Sequence, residues 1–181
     1  MSFLDITNET EAGFGEIAKK LFFNHAIKTH DSLFRFIEIE FYWNSSSHID
    51  NSTYQRKYVD PKAGDWFFHY SGVDIALKNE ETGGYGGILI RSVYDINQNK
   101  LYKGPMVCSM KLFSGTNAFT ENIKTKIIEH NFESITIEKG ERIGVTIEIE
   151  KSERIGLGDN AKKNGADKLN YRFFIDSKKI V

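Results

Sequence analysis

The chain has 181 residues, the length of one domain, and a domain of that size buries about 70% of the surface that its unfolded chain exposes. Its 24 Lys and Arg residues balance 25 Asp and Glu residues, for a net charge of −1, which excludes an overall positive field that would attract a polyanion. Aromatic residues make up 13% of the chain and proline occurs twice, a composition typical of a packed, β-rich domain. We expect a single domain over residues 1–181, in which nucleic-acid binding would need a local basic patch.

The predicted elements begin with one helix and continue with strands. In residues 9–24, ETEAGFGEIAKKLFFN, apolar residues recur at helical spacing behind acids suited to a helix N-terminus. Residues 118–130 carry a weaker pattern, which fits either a short helix or an irregular segment. The predicted strands, joined by turns of glycine and polar residues, are 33–43, 65–77, 86–94, 134–138, 142–151 and 171–175. The sequence therefore predicts a mixed α/β (α+β), β-rich, mainly antiparallel domain.

Cys108 is the single cysteine, which excludes an internal disulfide and a cysteine-based zinc site. Its apolar neighbours in MVCSMKLF favour a buried, inert thiol over a nucleophile. The first residues, MSFLDITNETEAGFGE, carry acids and lack the apolar region of a signal peptide, and no segment reaches 18 uncharged apolar residues. We expect a soluble cytoplasmic protein without a membrane partner, and the sequence leaves its oligomeric state open.

The segment FIEIEFYW, residues 36–43, places two glutamates inside an apolar and aromatic run. Side chains alternate along a strand, so one face is predicted to carry Phe34, Phe36, Glu38, Glu40 and Tyr42. The opposite face, with Ile37, Ile39, Phe41 and Trp43, should lie in the core. The two acids either face solvent, paired with lysines across the sheet, or line a pocket. In a pocket, aromatic neighbours would reduce the hydration of a carboxylate and raise its pKa, which suits a general acid or base.

The order of later segments adds to this pattern. IEIEFYW is followed by SSSHIDNSTYQRKYVDPKAGDWFFHYSGVDIAL, GGILIRSV, KGPMVCSMKLF, KGERIGVTIEIEK and NYRFFI. This order resembles the 3-methyladenine (alkyladenine) DNA glycosylase family, in which a Glu-x-Glu-Ala-Tyr strand precedes a Ser-His step, a strand ending Leu-Ile-Arg-Ala, a Gly-Pro turn before Leu-Cys and a late Arg-Phe-Tyr strand. The resemblance spans about residues 14–177. It implies a curved, mainly antiparallel sheet of the formyltransferase C-terminal-domain-like type with flanking helices.

The resemblance also implies a catalytic site. Glu40 matches the family's general base, which activates the attacking water, and Arg91 matches the arginine that helps to hold that water and the carboxylate. Tyr42 and Phe68 match aromatic residues that stack on the flipped base, and His48 matches the histidine that donates to the bound nucleotide. Such stacking partly recovers the few kcal/mol that removing a base from the duplex costs.

Two positions depart from the family's pattern. Ser71 stands where the family inserts a tyrosine into the gap that the flipped nucleotide leaves, and Lys78 stands near the place of an asparagine that gates the pocket. The loop from Tyr42 to His48 is also shorter by a few residues. These departures bear on DNA binding more than on the fold, so a substrate other than alkylated duplex DNA stays open.

The function that the resemblance implies is that of a DNA glycosylase, a monofunctional hydrolase that breaks the N-glycosidic bond of a damaged (alkylated or deaminated) purine in base excision repair. A carboxylate that orients water supports such a reaction without a metal, a cofactor or a lysine nucleophile. The alternative is a non-catalytic or repurposed pocket that binds a nucleobase, a nucleoside or another small planar ligand. In a third interpretation, a structural or interaction domain, Glu40 would lie exposed or in a salt bridge with no concave site beside it.

Three further patterns have ordinary structural interpretations. His48 with Asp50, and His69 with Asp74, match no standard metal spacing. GGYGG, residues 83–87, lacks the lysine of a P-loop and is expected to form a hairpin connection. Scattered lysines form either a phosphate-binding rim, if they share a face, or an ordinary solvated surface. These lysines are Lys100, Lys103, Lys111, Lys124, Lys126, Lys162, Lys163 and Lys168.

Overall fold

The computed structural model of the protein describes residues 1–53, 62–116, 123–132, 135–138, 141–144 and 147–180. The helices in these ranges are α1 (Glu11–Asn24), α2 (Pro105–Phe113) and α3 (Asp159–Lys162). The strands are β1 (His25–Lys28), β2 (Leu33–Asn44), β3 (Trp66–His69), β4 (Gly72–Asn79), β5 (Gly84–Asp95), β6 (Lys100–Lys103), β7 (Lys126–Glu129), β8 (Ile135–Glu138), β9 (Glu141–Gly144), β10 (Ile149–Ser152) and β11 (Arg172–Ile175).

Nine of the described strands form one sheet. Its main path runs β10-β11-β2-β5-β4-β3, while β1 and β6 pair with β2 and β5, and β7 pairs with β1. Every strand pairing in this sheet is antiparallel, and the sheet curls into a half-barrel. β8 and β9 form a separate antiparallel pair. The predicted α+β class, rich in antiparallel sheet, is confirmed.

Helix α1 confirms the helix predicted at 9–24. The side chain of Thr10, its N-cap, accepts a hydrogen bond from the Gly13 N–H at 3.3 Å, because the first amides of a helix have no partner within it. Phe14 is fully buried and stacks on Phe41 of β2, with ring centroids 4.9 Å apart. The helix therefore covers the core face of β2.

The long strand β2 is irregular at its centre. Its register with β5 shifts between Phe36 and Glu38 and again between Glu38 and Ile39. Arg91 and Ser92 are consecutive in β5, yet both donate to the Glu38 carboxylate, at 3.1 and 3.0 Å. Successive side chains of a regular strand point to opposite faces, so a bulge has turned one of them.

This irregularity corrects the predicted faces of β2. Simple alternation predicts Phe34 and Phe36 beside Glu38, Glu40 and Tyr42, but both phenylalanines lie in the hydrophobic core. Alternation assumes one residue per step on each strand, and a bulge breaks that count. The other three residues of the predicted face lie together in a polar network.

The single strand predicted at 65–77 is a hairpin of two strands, β3 and β4. His69 pairs with Gly72 across a turn formed by Tyr70 and Ser71. The run WFFHYSGVDIAL hides this turn because its only turn signal is the Ser-Gly step. A Cβ at Gly72 would lie 2.9 Å from the Pro105 side chain, so glycine lets the hairpin pack against the start of α2.

The structure also differs from the prediction at 118–130. Strand β7 occupies Lys126–Glu129 and pairs with β1, where the pattern allowed a short helix or an irregular segment; residues 118–122 lie outside the described ranges. Isoleucines at Ile127 and Ile128 favour the extended form once β1 offers an edge. The strands predicted at 33–43, 86–94, 134–138 and 171–175 appear as β2, β5, β8 and β11. The one predicted at 142–151 appears as β9 and β10, with 145–146 between them undescribed.

Two smaller predictions are also confirmed. The hairpin expected at GGYGG joins β4 to β5, but only Gly83 of that motif, at a φ of +66°, lies between the strands, and residues 84–87 begin β5. Cys108 is fully buried on α2, and burial raises the pKa of its thiol to about 12. Within the described ranges, no helix is long and apolar enough to span a membrane.

Candidate functional site

Glu40 lies at the centre of a polar network on β2. Its side chain is 0% exposed. One carboxylate oxygen, Oε2, accepts hydrogen bonds from the Tyr42 hydroxyl at 2.9 Å and from Arg91 Nη1 at 3.1 Å. The other, Oε1, accepts from the backbone N–H of Ile155 at 2.9 Å. Buried polar groups are normally paired in this way.

Burial is the dominant influence on the protonation of Glu40. It raises the pKa of the carboxyl above its usual value of 4.5, because the charged form loses hydration. The Arg91 charge and the hydrogen bonds from Ile155 and Tyr42 act in the opposite direction without cancelling it. Glu40 is therefore easier to protonate than an exposed glutamate.

Glu38, two residues away, has the opposite electrostatic character. It accepts from Arg172 Nε at 2.7 Å, Arg91 Nε at 3.1 Å and Ser92 Oγ at 3.0 Å. Burial alone would raise its pKa, but the Arg172 contact, with Ser92 and Arg91, outweighs burial and lowers the pKa. Glu38 is thus a structural acid, and Arg91 bridges the two glutamates.

A cleft of about 180 Å³ lies beside this network. Leu89 of β5 connects the two, since it pairs with Glu40 on one side and with Asp74 on the other. Glu40 does not line the cleft; it reaches the cleft through the hydroxyl of Tyr42. The lining residues are Tyr42, Ser52, Leu89, the turn residues His69, Tyr70 and Ser71, and residues 156–161.

His69 and Asp74 form a buried pair at the hairpin wall of the cleft. His69 Nε2 lies 3.0 Å from Asp74 Oδ1, and the Ser71 N–H donates to His69 Nδ1 at 3.3 Å. Since Nδ1 accepts, Nε2 carries the proton and donates to Asp74. From the sequence, His69 and Asp74 were considered only as metal ligands, at a spacing that matches no standard site. Their contact depends on the β3–β4 turn, which the sequence did not predict.

Arg154 is a residue beside the cleft that the sequence did not single out. Its side chain is fully buried and donates to Asp50 Oδ2 at 2.6 Å and to the Ala166 carbonyl at 2.8 Å. Its guanidinium lies 4.7 Å from the centre of the Tyr42 ring. Arg154 therefore holds both ends of the segment that contains residues 156–161, the second wall of the cleft. No local pattern around it points to burial.

The structure brings together part of the predicted site. Glu40, Arg91 and Tyr42 share one network, and Ser71 lines the cleft beside Tyr42. His48 instead stacks on Tyr171 with ring centroids 5.5 Å apart, outside the cleft lining.

Phe68 and Lys78 also lie outside the cleft lining. Phe68 is 46% exposed and packs edge-on against Phe113 of α2, 4.7 Å between centroids. Lys78 forms an ion pair with Glu80 at 3.1 Å. The expected stacking residue and gate residue therefore do not line the cleft with Tyr42.

Charge at the mouth of the cleft is not basic. The described residues that line it include the carboxylate of Asp159 and no lysine or arginine. Lys162, next to the lining, pairs with Asp159 at 2.9 Å. Over the described part of the chain, no group of three or more His, Cys, Asp or Glu side chains is arranged to hold a metal ion.

Comparisons with known proteins do not assign a family. The chain matches no protein-family model and no solved structure. It is similar to an uncharacterized protein of Acanthamoeba polyphaga mimivirus, with 29% identity over 56% of this chain and 56% of that protein. The chain thus spans about half the length of the curated relative that it matches.

Proposed function

We propose that the cleft at Tyr42 binds a nucleobase, a nucleoside or another small planar ligand. The observation that carries this proposal is the fixed position of the Tyr42 ring. Its hydroxyl donates to the buried Glu40 at 2.9 Å, and the Arg154 guanidinium lies 4.7 Å from its centre. Tyr42 is 7% exposed, with Arg154 over its ring, and the part of the ring that lines the cleft is a preorganised surface on which the π-face of a base can stack.

The rest of the lining supports a planar ligand with polar edges. Ser52 and Ser71 bring hydroxyls, Asn160 an amide and Asp159 a carboxylate, which together offer donors and acceptors around the ring. The volume of about 180 Å³ is below the roughly 300–1,000 Å³ of pockets for drug-sized molecules. A single small planar group therefore suits the cleft better than an extended ligand.

Charge supports a free base or nucleoside over duplex DNA. Sequence-independent affinity for nucleic acids comes mainly from Lys and Arg contacts to phosphates. Among the described residues, the cleft lining carries Asp159 and no basic side chain. A polyanionic backbone would find no counter-charge among these described lining residues.

Titration of the full chain with adenine, hypoxanthine and adenosine tests the proposal. We expect saturable binding by calorimetry and amide chemical-shift changes centred on Tyr42, Ser71 and Asn160. Tyr42→Leu should weaken binding at least about fivefold, since stacking of a base contributes about 1–3 kcal/mol. Phe68→Ala removes an exposed aromatic outside the cleft and should leave binding unchanged. Equal binding by both variants, or shifts centred elsewhere, would exclude the cleft.

Hydrolysis of the N-glycosidic bond of a damaged purine is the second candidate. The raised pKa of Glu40 favours it, because general acid–base catalysis works best with a group that titrates near the operating pH. Both oxygens of Glu40 already accept hydrogen bonds and the side chain is fully buried. An attacking water therefore reaches the carboxylate only if Tyr42 swings aside.

Duplex and single-stranded oligonucleotides that carry hypoxanthine, ethenoadenine or 3-methyladenine test this candidate. Formation of abasic sites that disappears in Glu40→Gln and persists in Glu38→Gln would support hydrolysis. Glu38 is the matched control because it shares Arg91 with Glu40 but has no bond to Tyr42. Saturable binding of a base without excision would support the binding function and exclude the hydrolytic function.

The resemblance that implies hydrolysis also implies a specific type of sheet. We propose a sheet of the formyltransferase C-terminal-domain-like type, and the curled antiparallel half-barrel supports it. Superposition of this sheet on such domains tests it through the order of the strands.

A further inference from the structure

A second cavity, of about 300 Å³, lies away from the cleft and shares no lining residue with it. Arg35 of β2, Tyr94 of β5 and residues 130–132 line it. The backbone N–H groups of His130 and Phe132 donate to the carbonyls of Asn24 and Phe23, both at 2.9 Å. The cavity wall is therefore anchored to the end of α1.

Arg35 is the unusual residue of this cavity. It is 4% exposed, and its Nε donates to the Phe22 carbonyl at 3.2 Å. Its Nη2 is buried and has no hydrogen-bond partner, and no carboxylate in the described part of the chain forms an ion pair with it. The guanidinium lies 4.5 Å from the centre of the Phe132 ring. Burial lowers its pKa to about 10, so Arg35 stays charged at neutral pH.

The contacts of Arg35 compensate its charge only in part. The Phe22 carbonyl belongs to the last turn of α1, where the helix carries partial negative charge, and the ring face of Phe132 adds a weak attraction. A guanidinium has five N–H donors, of which the helix end takes the one on Nε. Buried charges are normally paired with an opposite charge, and the described lining of the cavity contains no Asp or Glu.

We propose that this cavity binds a small oxyanion, a carboxylate or a phosphate, through the guanidinium of Arg35. Both groups present oxygens that match the planar donors of arginine. The side chains of His130 and Asn131 line the same cavity and add donors at its rim. The rings of Tyr94 and Phe132 would pack against the apolar part of an organic anion.

Titration of the full chain at constant ionic strength with phosphate, phenyl phosphate, acetate and benzoate tests this site. Binding is followed by the side-chain Nε–H signals of arginine and by thermal shift. We expect saturable binding of at least one probe with a shift of the Arg35 signal. Comparing the two phosphates with the two carboxylates shows which anion the site prefers. Comparing phenyl phosphate with phosphate, and benzoate with acetate, shows whether the rings of Tyr94 and Phe132 contribute to binding.

Arg35→Met should weaken binding at least about tenfold, as for loss of a charged hydrogen bond. Lys19→Met is the matched control, since it removes one exposed positive charge from α1 and should leave binding unchanged. If Arg35→Met does not fold, the double variant His130→Ala with Asn131→Ala decides, and we expect it to weaken binding. Non-saturable titrations, equal binding by Arg35→Met and Lys19→Met, or unchanged binding by the folded double variant would each overturn the proposal.

Discussion

The hydroxyl of Tyr42 donates to Oε2 of Glu40 at 2.9 Å and connects a fully buried carboxylate to the surface of a cleft. Glu40 lacks direct access to that cleft. A ligand in the cleft therefore reaches Glu40 through its neighbours, the Tyr42 hydroxyl on Oε2 and the Ile155 N–H on Oε1, which lies next to Gly156 of the lining. This relationship makes the protonation of Glu40 a measurable property of the candidate site.

Arg91→Met should raise the pKa of Glu40 further, since the Arg91 charge opposes the effect of burial. Carboxyl ¹³C NMR titration should show Glu40 with a midpoint above 4.5 in the natural chain and a higher one in the variant. Ser92→Ala is the control, because the Ser92 hydroxyl donates to Glu38. A Glu40 midpoint at or below 4.5, or one that falls in Arg91→Met, would contradict the assignment.

Glu38→Gln should remove part of the acid sensitivity of folding. Because the folded-state pKa of Glu38 is lowered from 4.5, its stabilising contribution is complete above about pH 4.5 and disappears as the pH falls through the folded-state value. At pH 7 the variant should lose about 2–3 kcal/mol, from hydrogen bonds to a charged group. Urea unfolding from pH 3 to 7 measures both effects. The exposed Glu80→Gln should keep the full slope, and an unchanged slope in Glu38→Gln would refute the prediction.

Arg154→Met should destabilise the protein by about 3–5 kcal/mol, because it leaves the buried Asp50 without its partner. It should also speed amide hydrogen exchange in residues 156–165, since Arg154 holds the Ala166 carbonyl. Lys168→Met, which removes a 70% exposed side chain, is the control and should change stability little. Equal exchange rates in the two variants would show that Arg154 does not hold this segment.

Gly86→Ala should be strongly destabilising, by about 3 kcal/mol or more. A Cβ at Gly86 would collide with the backbone carbonyl of Tyr42, so β2 and β5 would have to separate beside the cleft. Gly115→Ala has no atom within 4 Å of the new Cβ and should change stability by less than about 0.5 kcal/mol. Chemical denaturation of both variants measures the difference, and similar midpoints would contradict the close approach.

Local patterns predicted most of the helices and strands, but not the turn that divides residues 65–77 or the bulge in β2. Helix α1 and strands β2, β5 and β11 follow from periodicity, because their apolar positions repeat at the spacing of one buried face. The sequence did not predict the turn at Tyr70 and Ser71 because its only turn signal is the Ser-Gly step. The bulge in β2 was missed because it depends on register with β5, which no single segment encodes.

In the candidate site too, the sequence indicated a contact within one strand but not the contacts that distant segments make. Alternation along one strand predicted Glu40 and Tyr42 on the same face, and in the structure they share a hydrogen bond. Arg154 was not predicted, since it comes from a segment more than 100 positions further along the chain. Phe68 and His48 were predicted beside Tyr42 from the family resemblance and lie outside the cleft lining.

The sequence by itself determined the class of this protein: an antiparallel, β-rich α+β fold with a buried thiol and two acids inside a core strand. Only the tertiary structure decided that Glu38 and Glu40 differ in pKa. Glu38 receives two arginines, which help to lower its pKa below 4.5, while Glu40 is buried more deeply, which raises its pKa above 4.5. The reason is physical, because hydration and charge at a carboxylate depend on what other strands and loops bring to it. Residues two apart on one strand therefore have different chemistry.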